Sequence, residues 1–356
     1  MNSRERVMTA VALGQPDRTP MDFSANTQTQ ARLYRDLGVN THMDLMRRLH
    51  ADIVDLRGVV DPVWRGPGPM TRNLPGGIVE NHWGWRTMTV PTGAGDDTIH
   101  FCDFALAGCT TVEELAAHRW PSPDWFDFGD FAQRLEPWRE FAVMASGASF
   151  WQHPSFLRGL DALLMDLAAE PEMANYQLDR FTDFYVAFFD RMFTAAPGRI
   201  DILRIADDMG MQDRLLFSSE TFEHYMVPRL RRLVDMAHSH GVKVMFHSCG
   251  AIAPLIDSII AAGVDILDPI QVAAKGMEPR FLKSQFGSRI CLHGSIDTQY
   301  LLPQGTPDEV TRAVREMIAT LGAGGGFILA PSHVFQFDVT TANILALYET
   351  GYATRI

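Results

Sequence analysis

The residue pattern best suited to chemistry is a histidine and a cysteine two positions apart, His247 and Cys249, at the end of the predicted strand 242–249. Side chains alternate between the two faces of a β-strand, so we expect both to point to the same side. Imidazole and thiolate are natural zinc ligands, and a catalytic zinc site adds a third protein ligand and one open position. A buried thiol beside a hydrogen-bonded histidine would have the same spacing, so a third donor is needed for a zinc site.

We expect this third donor to be His333, which lies just beyond the last apolar strand pattern. Cys291 and His293 are rivals, and they share one face of their predicted strand. They come early in that strand, which places them either deeper inside the fold or outside it. Cys102 and Cys109 have no nearby histidine at ligand spacing, so we interpret them as packing residues.

Further polar residues follow other strand patterns. Asp207 and Asp208 are adjacent, so only one of them can point inward. We predict catalytic roles for this pair, as a general acid, a further metal ligand or a hydrogen-bond acceptor for substrate, with helix capping as the alternative. Gln271 and Asp297 are similar polar residues at strand ends, and we predict that they bind substrate.

The elements that position these residues alternate in type along the C-terminal half. Apolar runs rich in β-branched residues are each followed by an amphipathic segment with capping residues, glycine or proline at its ends. One helix start is especially clear at Thr306-Pro307-Asp308-Glu309. The predicted strands are 201–208, 242–249, 264–271, 288–297 and 325–332, and earlier candidates are 19–25, 51–58 and 140–149.

This alternation requires a mostly parallel sheet, either doubly wound or closed into a barrel. We predict an α/β fold of the TIM-type (β/α)8 barrel class, because a barrel gathers the polar strand ends on one face. Residues 59–108 interrupt the rhythm and are predicted to form an inserted β-rich hairpin or lid over the barrel mouth. If so, Trp83 would lie near the site and bind substrate. We expect residues 1–356 to form a single domain.

Composition excludes several function classes. The 43 acidic and 31 basic side chains give a formal charge of −12, which argues against binding to a nucleic acid backbone. No apolar run reaches the length of a membrane-spanning helix, so we expect no membrane partner. The N-terminal residues lack the apolar core of a signal peptide, and we expect a cytoplasmic protein with reduced cysteines.

Several motifs together resemble the uroporphyrinogen decarboxylase superfamily, in its cobalamin-dependent branch of methylcobalamin:coenzyme M methyltransferases. They are the opening Arg4-Glu5-Arg6-Val7 with Pro16-Asp17-Arg18-Thr19-Pro20, then His247-Ser248-Cys249-Gly250, Gly294-Ser295-Ile296-Asp297-Thr298 and Ile328-Leu329-Ala330-Pro331. The resemblance runs nearly end to end. It implies a TIM-type barrel whose methyltransferase members bind zinc through a His-x-Cys pair and a later cysteine.

At that later position this chain has His333. An imidazole in place of a thiolate would leave the metal with one less negative charge and make it a stronger Lewis acid. This departure favours removal of a methyl group from a methyl ether or methylamine over transfer to a thiol. No Asp-x-His-x-x-Gly cobalamin-binding motif is present, so the resemblance implies cobalamin on a separate corrinoid protein. It also implies a homodimer.

The sequence thus predicts a zinc-dependent methyltransferase, a corrinoid-dependent enzyme of the O-demethylase type. It would hold zinc through His247, Cys249 and His333 and move a methyl group between a small methylated substrate and cobalt. One alternative is a uroporphyrinogen decarboxylase-like, cofactor-independent decarboxylase in which Asp207 stabilises a protonated intermediate. Another is a non-catalytic barrel that binds a corrinoid protein or a small ligand.

Overall fold

The computed structural model describes residues 1–91 and 97–355. Within them, thirteen strands form a seven-stranded parallel sheet in the order β1-β8-β9-β10-β11-β12-β13, an antiparallel four-stranded sheet β3-β4-β5-β6 and the antiparallel pair β2-β7. The strands are β1 (Ile53–Asp55), β2 (Val63–Trp64), β3 (Thr71–Leu74), β4 (Ile78–Asn81), β5 (Arg86–Pro91), β6 (Asp97–Cys102), β7 (Phe126–Asp127), β8 (Ala142–Ala148), β9 (Ile202–Ala206), β10 (Lys243–His247), β11 (Ile266–Ile270), β12 (Cys291–Ile296) and β13 (Phe327–Pro331).

Helices separate the strands of the parallel sheet, as right-handed βα crossovers require. None of the helices in the described ranges is long and apolar enough to span a membrane. The α-helices are α1 (Ser3–Val11), α2 (Thr27–Leu37), α3 (His42–Arg48), α4 (Val112–Ala116), α5 (Phe131–Arg134), α6 (Gln152–Arg158), α7 (Leu160–Ala169), α8 (Pro171–Ala195), α9 (Ser219–Thr221), α10 (Val227–Ser239), α11 (Ile256–Ala261), α12 (Pro279–Phe286), α13 (Leu301–Gln304), α14 (Pro307–Met317) and α15 (Thr341–Ala353).

Local sequence explains where several of these helices begin. Thr306 caps α14 in a capping box with Glu309, and Pro307 occupies the first turn, as the sequence predicts. Ser218 and Thr340 cap α9 and α15 through the same type of side-chain bond to the backbone. These caps fix where the helices begin, and a connection on the carboxyl side of the sheet joins each of them to the strand before it.

The prediction of a parallel α/β sheet of TIM type is confirmed, although the eighth strand is not regular. The predicted strand 19–25 forms only isolated bridges, Met21 with Leu329 and Ala25 with Phe335. Its backbone still joins the two edges of the sheet. The backbone N–H of Asp22 donates to the carbonyl of Leu329 in β13, and the backbone N–H of Asp52, just before β1, donates to the carbonyl of Met21. An extended segment with few hydrogen bonds thus takes the eighth place.

Two apolar cores hold the sheet. The larger one lies between the sheet and the helices, and it includes the long helix α8. The smaller one fills the inside of the curved sheet with one residue from each of several strands, as alternation along a strand requires. Its members include Ile202, Met245, Ile266, Cys291 and Ile328. This layer forms a solid floor beneath the carboxyl ends of the strands.

The predicted insert contains the four-stranded antiparallel sheet. It packs on α8 through Trp83, whose ring stacks on Phe181 at 4.5 Å between centroids. Near the end of β6, Phe101 stacks on Phe156 of α6 at 3.7 Å. The insert therefore contacts the loop and helix that follow β8, close to the carboxyl ends of the parallel strands.

The buried carboxylate of Asp52 fastens the eighth segment at the amino end of the sheet. It is fully buried and pairs with Arg6 and Arg18, and it also accepts the backbone N–H of Met21. We expect Asp52→Ala to lower the free energy of unfolding by about 3–5 kcal/mol, because it leaves the buried guanidinium of Arg18 without a carboxylate and removes one of the two carboxylates that pair with Arg6. Urea denaturation measures this change.

Glu349→Ala is the matched control, because it removes an exposed carboxylate that pairs with Arg48 on the surface. It should cost less than about 1 kcal/mol. Equal losses for Asp52→Ala and the control would contradict the role given to Asp52.

Candidate metal centre

A cavity of about 250 Å³ opens at the carboxyl ends of the parallel strands. Its lining includes Asp22, Asp208, His247 and His333, which come from widely separated parts of the chain. A larger cavity of about 560 Å³ lies in the insert region. Its lining contains none of the residues predicted to form the site, although it includes His82 and Gly84, which flank Trp83. The smaller cavity is therefore the candidate site.

Three side chains beside this cavity bring potential metal-binding atoms together. The ligand atoms of Asp208, His247 and Cys249 all lie within 4.8 Å of one another. His247 Nε2 is 3.5 Å from Cys249 Sγ and 3.7 Å from Asp208 Oδ1. His247 ends β10, Cys249 follows two residues later, and Asp208 follows the neighbouring strand β9.

These separations suit one tetrahedral zinc ion. Zinc bonds of about 2.05 Å to nitrogen and 2.3 Å to sulfur, at a tetrahedral angle, place the two ligand atoms about 3.6 Å apart. Nitrogen and oxygen ligands are about 3.4 Å apart in the same geometry. The thiol, imidazole and carboxylate therefore fit a single divalent ion with small adjustments.

The surroundings of Cys249 hold its thiol in the protonated form. Burial and the neighbouring Asp208 carboxylate raise the pKa of the Cys249 thiol far above its ordinary value. The thiol keeps its proton in this environment until a cation takes the place of that proton. A free thiolate nucleophile is therefore disfavoured, and coordination of a metal would release the thiol proton.

His247 is held from behind by a carboxylate. Its Nδ1 lies 2.8 Å from Asp268 Oδ2, and the pair is buried. When its hydrogen is on Nδ1, the ring donates to Asp268 and the Nε2 lone pair is directed at the other two donors; Arg204 Nη2, 2.6 Å from the same Nδ1, competes for this position. A carboxylate behind a metal-binding histidine fixes the ring and makes it a better ligand.

A buried polar layer continues from Asp268 across the inside of the sheet. Arg204 Nε donates to Asp268 Oδ2, and Arg204 Nη2 lies 2.6 Å from His247 Nδ1. His293 Nδ1 lies 2.8 Å from Asp268 Oδ1, and its Nε2 lies 3.1 Å from Asp22 Oδ2. The layer thus links β9, β10, β11, β12 and the eighth segment.

The contacts between histidines and aspartates determine which groups of this layer are ionised. Burial alone would lower the pKa of His293, but Asp268 and Asp22 raise it to about 9. Burial likewise opposes ionisation of Asp268, yet Arg204 and the two histidines hold its pKa well below the ordinary range. His293 is therefore an imidazolium between two carboxylates, which is a structural ion pair and leaves no lone pair for a metal.

Only one of the adjacent acids faces the cavity, as the sequence requires. Asp207 is fully buried and accepts hydrogen bonds from the Ser149 hydroxyl and from the backbone N–H groups of Phe150, Trp151 and Gln152. It holds the loop that enters α6. Burial raises its pKa to about 7, while these donors act in the opposite direction.

Asp208 is the acid that reaches the site. Its Oδ1 accepts the backbone N–H of Cys249, and its Oδ2 accepts Nε2 of Gln152. These bonds orient the carboxylate toward His247. Of the two acids predicted to be catalytic, the geometry favours Asp208, and it gives Asp207 the capping role.

Two glycines allow the loops after β9 and β10 to touch. A Cβ added to Gly250, which has φ +92°, would lie 2.5 Å from the carbonyl carbon of Gly210. A Cβ on Gly210 would lie 2.8 Å from the carbonyl oxygen of Cys249. The approach of Asp208 to Cys249 therefore depends on residues without side chains at both positions.

His333 lies at the rim of the cavity. Its ring centroid is 6.4 Å from that of His247, and its side chain is exposed. It does not belong to the close group formed by the other three donors among the described residues. Its role as a zinc ligand stays a prediction.

The other predicted substrate-binding residues lie outside the lining of this cavity, as far as the described residues show. Gln271 accepts the N–H of Gly250 and thereby supports the loop that carries Cys249. Asp297 accepts three backbone N–H groups of the turn that follows it. Trp83 is buried against Phe181. These contacts are structural, and none of the three is placed to touch a ligand at the cavity.

Sequence reasoning missed three members of the polar layer: Asp22, Arg204 and Asp268. The available signal was the two-residue period, because Arg204, Asp268 and His293 each come two positions after an interior apolar residue. Charged residues at such positions inside apolar strands indicate a buried polar network. Cys291 and His293, the rival ligands, lie inside the sheet and below the three donors.

Comparison with known proteins places these residues in a family context. Residues 136–353, more than half of the chain, match the family model described as uroporphyrinogen decarboxylase (URO-D). The methylated-thiol–coenzyme M methyltransferase of Methanosarcina mazei is 29% identical over 164 residues. That alignment covers 46% of this chain and 41% of the relative, so the match spans less than half of the relative's length.

A solved structure described as a methyltransferase from Methanosarcina mazei matches almost the whole fold. The superposition covers 99% of this chain and 98% of that chain, with a TM-score of 0.65. Sequence identity is 15%, so this likeness shows a shared fold.

The different roles of the adjacent acids predict different effects of the same substitution. Asp207→Asn should lower the free energy of unfolding by about 2–4 kcal/mol, because an amide nitrogen then faces backbone N–H groups that need an acceptor. Asp208→Asn should change it by less than about 1 kcal/mol, because this half-buried side chain keeps an acceptor oxygen. Urea denaturation in the presence of a chelator compares the two. A larger loss for Asp208→Asn would reverse the assignment.

The imidazolium of His293 predicts a pH dependence of stability. Its pKa is about 9 in the fold and roughly 6.5 in an unfolded chain, so its contribution is fully present below pH 6.5. It is lost as the pH rises through about 9. Relative to His293→Gln, the wild-type free energy of unfolding should fall by about 3 kcal/mol between pH 6 and pH 10. Parallel pH curves for the two proteins would contradict this.

Proposed function

The chain belongs to the uroporphyrinogen decarboxylase (URO-D) family, and from that premise we propose that it is a zinc-dependent methyltransferase. It moves a methyl group between a small methylated substrate and the cobalt of a separate corrinoid protein. The observation that carries this proposal is the convergence of Asp208, His247 and Cys249 at one open cavity.

The donor set supports zinc over harder cations. A thiol and an imidazole are the soft and borderline ligands that zinc prefers, whereas magnesium and calcium take oxygen ligands. A bound zinc ion supplies a Lewis acid that polarises the heteroatom carrying the methyl group. His333 at the rim is proposed as a fourth donor, and with it the substrate heteroatom would bind by expansion of the zinc ion to five-coordinate geometry.

The chain's own residues prepare this site in three ways. Asp268 fixes the His247 ring with Nε2 directed at the donors. Gln152 and the Cys249 backbone hold the Asp208 carboxylate in place. The apolar floor beneath the polar layer keeps water from entering the site from below.

The charge balance of the site suits the departure at His333. With Cys249 as thiolate, Asp208 and Cys249 carry two negative charges against the two positive charges of zinc. Asp208 thereby replaces the charge that a histidine at the later position removes. The proposed site would be neutral. A site with a cysteine at the later position and without the Asp208 carboxylate would have the same total charge.

The decarboxylase alternative loses the residue assigned to it. That mechanism used Asp207 to stabilise a protonated intermediate, but the Asp207 carboxylate is buried beneath the start of α6 and bonded to four donors. The contacts of Asp207 therefore favour the methyltransferase. A cytoplasmic location, a homodimer and the corrinoid partner remain proposals that rest on the resemblance.

Zinc analysis tests the proposal first. Protein purified without chelator should contain about one zinc ion per chain. His247→Ala, Cys249→Ser and Asp208→Asn should each lose most of it, because a three-donor site does not survive loss of one donor. Cys102→Ser, in the insert, is the matched control and should keep its zinc. His333→Ala measures whether the rim histidine contributes.

A methyl-transfer assay with the same variants completes the test. Reduced corrinoid protein is mixed with methoxylated aromatics, methylamines or methyl thiols, and cobalt methylation is followed by absorbance. Wild type should methylate cobalt with at least one donor class, and the three ligand variants should not. Wild type without zinc, or zinc content unchanged in the variants, would overturn the proposal.

A further inference from the structure

A second cavity of about 310 Å³ adjoins the metal donors and is lined mostly by aromatic and aliphatic side chains. It shares Asp208 and Gln152 with the first cavity. Its apolar lining, called here the aromatic cavity, consists of Phe101, Phe104, Trp151, Phe156, Leu160 and Leu216.

The insert and the α6–α7 region build this lining together. Phe101 of β6 stacks on Phe156 of α6 with an interplanar angle of 10°. Gly159, between α6 and α7, has φ +85°, and its backbone lies in van der Waals reach of the Phe104 ring. Trp151 is fully buried at the base of the wall.

Part of this apolar surface remains uncovered. Phe101 is 36% exposed and Leu160 is 45% exposed, although both border a cavity next to polar donors. Burial of apolar area is favourable by roughly 25 cal/mol per Å², so an apolar ligand that fills the cavity would gain this term. The cavity has ample size, since an engineered cavity of about 150 Å³ in another protein binds benzene.

The polar groups of the aromatic cavity lie on the side that faces the metal donors. Asp208 and Gln152 form the border, and Ser155 donates its hydroxyl to the Gln152 carbonyl. No lysine or arginine belongs to the lining among the described residues. A ring seated here would therefore direct one polar substituent at Asp208 and the donors, and an anionic substituent would find no cation within the cavity.

We infer that the methyl donor is an aryl methyl ether whose ring occupies the aromatic cavity and whose ether oxygen faces Asp208, His247 and Cys249. The inference rests on the proposed function and names its substrate class. Small methylamines and methyl thiols would leave the aromatic cavity unfilled. A quaternary ammonium group would need aromatic faces around it, but Phe101 and Phe156 each turn one face to the other.

The proposed methyl transfer conserves atoms and electrons. The bond between the methyl carbon and the ether oxygen breaks, and both of its electrons stay on the oxygen. The methyl carbon bonds to the reduced cobalt of the corrinoid partner. The resulting phenolate takes a proton from water when it leaves, so no further oxidant or reductant is required.

Calorimetric binding tests the inference without turnover. Guaiacol, trimethylamine and dimethyl sulfide are titrated separately into the protein as purified, and zinc content is measured in every sample. Guaiacol should bind, and the two small compounds should bind much more weakly. Phe156→Ala should weaken guaiacol binding about tenfold, through the lost apolar contact.

Two further variants protect the test from folding effects. Leu160→Ala removes an exposed side chain of the cavity and should weaken guaiacol binding about threefold. Phe281→Ala removes an exposed ring on α12 and should leave binding unchanged. Zinc content should be equal in all three variants and wild type.

The outcomes separate this inference from the proposed function. Absent guaiacol binding, or binding unaffected by both Phe156→Ala and Leu160→Ala, overturns the inference. Cobalt methylation from trimethylamine or dimethyl sulfide together with absent guaiacol binding overturns it and leaves the proposed function standing. Guaiacol binding in a protein that contains no zinc overturns the proposed function. The same result overturns the assignment of the ligand as a methyl donor.

Discussion

The carboxylate of Asp268 is the interaction on which the candidate site depends. Its two oxygens meet Arg204, His247 and His293, which come from three different strands. A buried carboxylate is costly unless it is paired, and here each oxygen has a charged or polar partner. The same contacts decide the orientation of His247. The metal donors are therefore placed by a network that lies entirely beneath them.

That network is electrically balanced. Asp22 and Asp268 carry two negative charges, and Arg204 and the imidazolium of His293 carry two positive charges. The charges of these four groups offset one another, and Asp55 in the cavity wall adds a further carboxylate. The affinity of the site for a cation then depends on the donors themselves, above all on the carboxylate of Asp208 and the ionisation of Cys249.

Much of the fold could be predicted because strands and helices leave periodic patterns. The two-residue period predicted His247 and Cys249 on one face, and their ligand atoms do lie 3.5 Å apart, although Cys249 is already in the loop after β10. The same period does not extend into loops, so it left open which of Asp207 and Asp208 turns inward. That choice depends on the helix start that captures Asp207 and on the contact between Gly210 and Gly250.

The insert and the rim were less predictable for the same reason. Pattern alone indicated a β-rich excursion, but the stacking of Trp83 on Phe181 is a tertiary contact that no local period encodes. Asp297 resembled other polar residues at strand ends, yet three backbone N–H groups of its own turn engage its carboxylate. A polar residue after a strand is thus ambiguous between a ligand contact and a turn contact.

The eighth segment has fewer backbone hydrogen bonds to its neighbours than the seven regular strands have, so it forms a seam in the sheet. Counting around the ring from that segment, β10 stands diametrically opposite, with β9 next to it. Asp208, His247 and Cys249 consequently follow strands that pair with a regular strand on both sides. His333 follows β13, which borders the seam. A displacement at the seam would therefore move the rim histidine relative to Asp208, His247 and Cys249.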